Sequence, residues 1–276
     1  MENIKKSNKY INPSLIAGTI KQSKVFLIVW TVVILVFILL NLGTYLILQN
    51  IDLDEVQQLI SNTNIFQFYV LGYDGDTLTL GLVFSSIVAM AALLKDESKN
   101  TTEFLFSHPI SRKKMFLTQM LSFLSILFIF SLVIMGASFL MLAAFDNFDF
   151  NFNVGQFFVL HGGMFLMNLI FGLLMYGIAS IKKGKNYFAI SIMTCIVLYF
   201  VSMLTLFLTA TLAPKFSWIT NLNHLFIFNI MDTSKLVAGV GNITFNWQPI
   251  VIWAVPAIAL NIWGYFKYQK KDLNCA

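Results

Sequence analysis

Charge is what this sequence lacks most. Asp, Glu, Lys and Arg make up 11% of its 276 residues, whereas hydrophobic residues make up 58% and phenylalanine alone occurs 28 times. A soluble globular domain carries charge on about a quarter of its residues. The composition therefore excludes an ordinary soluble protein and indicates a chain that lies within a membrane.

Cysteine is scarce as well, and several motifs that mark catalytic sites are absent. The two cysteines, Cys195 and Cys275, lie in an apolar run and beside the C-terminus, so they do not support a disulfide framework. The sequence has no G-x-x-x-x-G-K-S/T loop, no H-E-x-x-H or G-x-S-x-G motif and no Cys/His metal spacing. We therefore predict no catalytic residues, no metal ligands and no cofactor bound directly to the chain.

Acidic and basic residues are also missing from the long apolar runs, where they would mark an ion or proton pathway. Of the three histidines, only His161 lies in such a run. We interpret it as an interfacial histidine with satisfied hydrogen bonds, followed by Gly162 and Gly163 as a close-packing pair. An intramembrane enzyme is disfavoured, because no acidic or serine partner lies at helical spacing from His161.

What the sequence does contain is six apolar runs of at least 18 residues. About 20 helical residues cross a hydrocarbon core about 30 Å thick, so each run is long enough for a transmembrane helix. A β-barrel does not have such unbroken runs, because its strands alternate apolar and polar residues over about ten positions. The sequence therefore predicts an all-α polytopic membrane protein, with one membrane domain over residues 1–276. The predicted transmembrane helices are 25–49, 77–94, 115–144, 154–181, 187–213 and 249–266.

Two shorter segments accompany these spans. Residues 8–24 place four apolar side chains on one face, which predicts an N-terminal amphipathic interfacial helix at the inner membrane surface, with Pro13 in its first turn. Residues 214–246 are aromatic and apolar but are interrupted by Asn, Gly and Pro. That mixture predicts short outer helices between the fifth and sixth spans that dip into the membrane, the second of them capped by Asp232 or Thr233.

The distribution of Lys and Arg predicts the orientation. Alternate loops and the two tails together hold 16 of the 18 basic residues, and the exceptions are Lys215 and Lys235. Because basic residues concentrate on the cytoplasmic side, we expect both termini to be cytoplasmic. The formal net charge of +5 then faces anionic membrane lipid, so it calls for no nucleic acid as a partner.

A polar island, Lys95–Phe116, separates the second and third spans. Within it, Glu103 suits the first turn of a short helix, which must end before Pro109 because the residue preceding a proline avoids the α region. Ser111 can cap the helix that follows. The apolar residues 104–106 of the short helix face either a groove on a soluble partner or membrane lipid, and these residues alone leave both readings open.

The run ESKNTTEFLFSHPISRKKMFLTQM, which begins at Glu97, resembles the cytoplasmic loop of type 2 (ABC-2 type) ABC exporter permeases. In that family an acidic residue, a Thr-x-Glu-like helix start, a Leu/Phe pair and PISR followed by basic residues form the coupling helix. The ending YFKYQKKDL after the last span is similar as well. The matching positions in the loop are Glu97, Thr102, Glu103, Leu105, Pro109, Ile110, Ser111 and Arg112.

The resemblance implies a permease subunit that has no ATPase of its own. It pairs with a separate ABC ATPase subunit, which binds ATP and Mg, and with a second permease copy, identical or different. Closure of the ATPase dimer then pushes a coupling region over residues 97–112. The residues implied to contact the ATPase are Glu97, Thr102, Glu103, Phe104, Leu105, Phe106, Pro109, Ile110, Ser111 and Arg112.

By the same analogy, the first, second and fifth spans line the transport path. Small polar side chains on those spans are the candidates for contact with the transported molecule. They are Asn41, Ser85, Ser86, Thr194 and Ser202.

Uncharged spans favour a hydrophobic or amphipathic cargo, such as an antimicrobial peptide, a peptide antibiotic or a lipid-like molecule. The abundance of Lys, Asn, Ile and Phe is typical of a low-GC bacterial genome, which predicts a bacterial plasma membrane and a role in antibiotic resistance or bacteriocin immunity. Two alternatives stay open: a six-helix channel or secondary carrier that works without a partner, and a membrane scaffold that transports nothing. Dependence on an ATPase discriminates between them and the permease.

Overall fold

A computed structural model describes residues 11–51, 63–98, 111–149, 152–182, 186–212 and 217–270. Within these residues six helices are long and apolar enough to cross a membrane, which confirms the predicted all-α, six-span fold. The elements in chain order are α1 (Pro13–Gln49), α2 (Ile65–Gly72), a π-helical turn (Tyr73–Thr77), α3 (Leu78–Ser98), α4 (Arg112–Phe145), α5 (Val154–Ile181), α6 (Tyr187–Leu212), 3₁₀ turns (Ser217–Leu225 and Ile227–Ile230), β1 (Met231–Asp232), α7 (Ser234–Val237), β2 (Thr244–Phe245) and α8 (Trp247–Lys270).

The first helix differs from the sequence expectation of a separate interfacial helix over residues 8–24. From Pro13 to Gln49 the chain forms one helix of 37 residues, about 55 Å long at 1.5 Å per residue. Pro13 occupies its first turn as expected. No proline or glycine stands between residues 19 and 42, so nothing in the sequence ends the helix where the first span was expected to begin.

The second candidate span is Leu78–Lys95, close to the predicted 77–94, and helical structure precedes it. Asn64 caps α2 through a capping box in which its side chain accepts from the Gln67 backbone N–H and the Gln67 side chain accepts from the Asn64 N–H. From α2 the chain passes through the π-helical turn directly into α3. Asp74 therefore lies in a helical turn.

The centre of the bundle is formed by α3 and α5. The apolar stretch of α3 is 78% buried and that of α5 is 61% buried, against 22% for α1 and 17% each for α6 and α8. The exposed residues on these three outer helices are mostly large and apolar. Such a surface suits hydrocarbon and does not suit water.

Small residues allow α8 to approach the central helix α5 closely. Gly264 of α8 lies against the Ser180 side chain of α5, and Gly177 of α5 lies against the backbone at Leu260. In the same seam Asn261 Nδ2 donates to the Leu173 carbonyl at 2.7 Å. Tight packing through small residues, supported by interhelical hydrogen bonds, is how helices associate where lipid offers no hydrophobic drive.

Short outer helices were predicted over residues 214–246, before α8. The described elements of this segment are shorter than such helices. Its described part consists of 3₁₀ turns, the one-turn α7, and a two-residue hairpin in which Met231 pairs with Phe245. Asp232 accepts from the N–H and the hydroxyl of Ser234, as an Asx turn does. Thr233 is the N-cap of α7 but makes no capping bond, because its hydroxyl donates to Asp74.

A matched pair of glycine substitutions on α5 tests the packing of α5 against α8. A Cβ at Gly177 would lie 2.8 Å from Leu260 Cβ, whereas a Cβ at Gly162 would meet no atom within 4 Å. We expect Gly177→Ala to destabilise the protein by about 1–3 kcal/mol through overpacking. Gly162→Ala should be neutral or stabilising, by up to about 1 kcal/mol, because alanine favours the helix. Thermal unfolding in detergent measures both, and equal melting temperatures would refute the packing account.

Candidate functional site

Among the side chains that the structure describes, charged ones separate to opposite ends of the bundle. We call the end where α1, α4 and α6 begin and α3, α5 and α8 finish the basic end, and the opposite one the acidic end. The acidic end holds Asp74, Asp146, Asp149 and Asp232 together with Lys235. The basic end holds Lys21, Lys24, Lys95, Arg112, Lys113, Lys114, Lys182, Lys267 and Lys270.

Most of the predicted coupling region lies outside the described residues. Glu97 is in the last turn of α3, but its side chain is not described. The predicted contact residues Thr102, Glu103, Phe104, Leu105, Phe106, Pro109 and Ile110 fall outside as well. Ser111 is described, and its hydroxyl caps α4 by accepting from the Lys114 N–H at 3.3 Å, as the sequence predicted.

Arg112 joins the start of α4 to the end of α8. Its Nη1 donates to the carbonyl of Gln269 at 3.3 Å, in the last turn of α8. A cation is favourable there, because the final carbonyls of a helix have no partner within it and carry partial negative charge.

One turn further along α4, Phe116 connects the same region to α5. The Tyr176 hydroxyl donates to the Phe116 carbonyl at 2.6 Å. The Phe116 ring packs against Tyr176, Tyr265 and Tyr268 at centroid distances of 5.2, 5.6 and 5.8 Å. The basic ends of α4, α5 and α8 are therefore joined by direct contacts.

A cavity of about 280 Å³ opens at the basic end between α1, α3, α4 and α6. We call it the basic-end cavity. It brings together hydroxyl, amide and ammonium groups with aliphatic and aromatic side chains. Its wall consists of Thr19, Gln22, Ser23, Phe26, Ile87, Val88, Ala91, Ala92, Lys95, Gln119, Ile126, Tyr187 and Phe188.

The small polar residues proposed to line the path do not line this cavity. Ser85 and Ser86 are buried and bond back to the Leu82 and Val83 carbonyls of their own helix at 3.0 and 2.9 Å. Thr194 does the same to Ile190 at 2.8 Å. Hydroxyls used in this way donate within their own helix. The place of these three residues on a transport path stays a prediction.

The other two candidates lie apart. Asn41 of α1 packs its amide against Gly72 at the end of α2, where a Cβ would be 2.6 Å from its Nδ2. Ser202 is half-buried on α6. Their place on a transport path stays a prediction.

The sequence analysis missed the polar residues of the cavity wall, which are Thr19, Gln22, Ser23 and Gln119. Their sequence signal is the presence of amide and hydroxyl side chains near the starts of two spans.

His161 is held by two tyrosines of the second span's helical extension. Its Nε2 lies 3.0 Å from the Tyr69 hydroxyl, and its Nδ1 lies 3.1 Å from the Tyr73 hydroxyl. Both ring nitrogens of His161 therefore have a hydroxyl partner. The interpretation of His161 as a satisfied histidine is confirmed.

Of the glycine pair that follows His161, only one member packs closely. A Cβ at Gly163 would collide with the Met231 side chain, whereas Gly162 has open space. Gly163 therefore seats the hairpin residue Met231 against α5.

Three hydrogen bonds fasten the segment 231–245 to the acidic end. Thr233 Oγ1 donates to Asp74 Oδ2 at 2.9 Å, Gln67 Nε2 donates to the Leu236 carbonyl at 3.2 Å, and the Ile243 N–H donates to Gln156 Oε1 at 2.7 Å.

Burial raises the pKa of Asp74, which lies outside the spans. The hydrogen bond from Thr233 opposes this shift, and the negative charge of the nearby Asp232 adds to it.

Comparison with known proteins supplies the family. Residues 20–273 match the model of a family described as "ABC-2 family transporter protein". No curated protein and no solved structure matches the chain. Among the described residues, no group of three His, Cys, Asp or Glu side chains is placed to hold a metal ion.

Replacing Asp74 tests the electrostatics of the acidic end. A carboxyl with a raised pKa in the folded state resists ionisation, so its contribution to stability falls as the pH rises from about 4, where an unfolded Asp titrates. Asp74→Asn keeps an acceptor for Thr233 and removes the charge. We expect the melting temperature of the variant minus that of the wild type to increase from pH 4 to pH 7. The exposed Asp149→Asn serves as control, and a difference for Asp74→Asn that is flat with pH would contradict the burial of this carboxyl.

Proposed function

The chain belongs to the ABC-2 family of transporter proteins, and from this premise we propose that it is the membrane-spanning permease subunit of an ATP-driven exporter in a bacterial plasma membrane. The observation that carries the proposal is the family match over residues 20–273. The six spans support it, because a permease must cross the membrane repeatedly.

The energy for transport is proposed to come from a separate ABC ATPase subunit, which binds ATP and Mg. Its docking site is the coupling region 97–112, in which Phe104 and Leu105 act as apolar anchors and Glu103 fixes the register. The joints at Arg112 and Phe116 support this assignment, since they connect the end of that region to α5 and α8. A push from the ATPase would then move three helices together and not bend one loop.

The basic end is proposed to face the cytoplasm and to carry both termini, because Lys and Arg are retained on that side. A second permease copy completes the transporter. Large apolar side chains are exposed on α1, α6 and α8. This exposure supports the proposal that the three helices contact both lipid and the second copy.

The cargo is proposed to be hydrophobic or amphipathic: an antimicrobial peptide, a peptide antibiotic or a lipid-like molecule. Support comes from the spans themselves, whose apolar runs contain no acidic or basic residue to pair with a buried charge on the cargo. Such a transporter would serve antibiotic resistance or bacteriocin immunity.

Co-purification tests the need for an ATPase. The tagged permease is expressed with the genes that surround its own and extracted in mild detergent, and the sample is searched for a subunit with a nucleotide-binding loop. We expect that subunit with the wild type. The double variant Glu103→Lys, Leu105→Asp should lose it, because reversing a charge and placing a carboxylate at an apolar anchor disrupts the docking helix.

The matched control is Asp149→Lys, a charge reversal at the acidic end, which should retain the ATPase. If the wild type brings no ATPase with it, a partner-independent channel or carrier, or a scaffold, becomes the better account. If the double variant inserts normally and still retains the ATPase, the docking site lies elsewhere.

A further inference from the structure

The basic-end cavity changes from polar to apolar along three helices in the same direction. On α1 the wall passes from Gln22 and Ser23 to Phe26, and on α4 it passes from Gln119 to Ile126. On α3 it passes from Lys95 to Ile87, eight residues or about 12 Å deeper into the bundle. On these three helices the wall is hydrophilic towards the mouth and hydrophobic towards the base, while α6 adds the aromatic rings of Tyr187 and Phe188 at the mouth.

This gradient matches a molecule with a polar head and an alkyl chain. The side chains at the base are Phe26, Ile87, Val88 and Ile126, which offer an alkyl chain only apolar contacts. The mouth offers amide and hydroxyl groups that can bond a headgroup. Its position at the basic end places the head level with the ends of the spans, where the headgroups of a bilayer lie.

A charge at the mouth specifies the sign of the headgroup. Lys95 is on the wall and carries a positive charge. None of the described residues on the wall is acidic. Basic pockets between transmembrane helices on the cytoplasmic side attract anionic lipid headgroups.

The size of the cavity limits what enters it. Its volume of about 280 Å³ is below the 300–1,000 Å³ of sites that enclose a whole drug-sized ligand. One chain fits, while the rest of a two-chain lipid stays in the bilayer.

We propose that the basic-end cavity binds one anionic phospholipid per protomer, with one acyl chain between α1, α3, α4 and α6 and the phosphate at the mouth beside Lys95 and Gln119. This site goes beyond transport of a cargo, since it lies within a single protomer and requires neither the ATPase nor ATP. It makes the lipid a component that joins α1 and α6 to the centre of the bundle.

Native mass spectrometry of the full-length permease tests the proposal. The protein is equilibrated in detergent with equal amounts of phosphatidylglycerol and phosphatidylcholine, and the retained lipids are counted at rising collision energy. We expect one phosphatidylglycerol per protomer to survive, at least tenfold more often than phosphatidylcholine. Glycerol phosphate, the head without chains, should not be retained, because the apolar base then has no occupant.

Two variants separate the chain from the head. Ala91→Phe fills the wall of the cavity and should abolish retention, while Ala189→Phe, an exposed position on α6 next to Phe188 but outside the wall, should leave it intact. Lys95→Gln should retain lipid but reduce the preference for phosphatidylglycerol severalfold. Equal retention of the two lipids by the wild type, or equal retention by Ala91→Phe and Ala189→Phe, would overturn the proposal. Lys95→Gln keeps the test valid should Ala91→Phe fail to fold.

Discussion

The hydrocarbon core of a membrane offers no water to the peptide backbone, and this constraint governs the rest of the structure. Every backbone polar group inside the bilayer must find its partner within the protein, which leaves the helix as the spanning element of this chain. The same constraint explains the fate of the small polar side chains. Ser85, Ser86 and Thr194 donate to carbonyls of their own helices, which satisfies their hydroxyl protons without water.

Without a hydrophobic drive between helices, contact depends on shape. Gly177 and Gly264 bring α5 and α8 together, and Arg112 and Phe116 attach the start of α4 to the same pair. A second set of contacts closes the acidic end, where Thr233, Gln67 and Gln156 fasten the hairpin segment over the helices. Of the helices joined at the basic end, α5 also takes part in the contacts at the acidic end, through Gln156.

Much of the fold was predictable because length and hydropathy dictate membrane spans directly. The capping of α4 by Ser111 was also predictable, because a cap depends only on residues within one turn of the helix. The helical segment upstream of the second span was missed. Its sequence signal is the capping box of Asn64 and Gln67, which begins a helix that continues through a π-helical turn into α3. The cavity was not predictable, because its wall joins residues from four helices whose relative rotation no sequence period specifies.

The central claim is that the chain moves an amphipathic molecule only when an ATPase drives it. The direct test is transport in proteoliposomes that contain the purified permease, with and without its ATPase, using a fluorescently labelled amphipathic peptide as the probe. The account predicts vectorial movement of the peptide that requires both subunits and hydrolysable ATP, and none with the permease alone. Movement by the permease alone, at the same rate with and without ATP, would contradict it and identify a channel or a carrier.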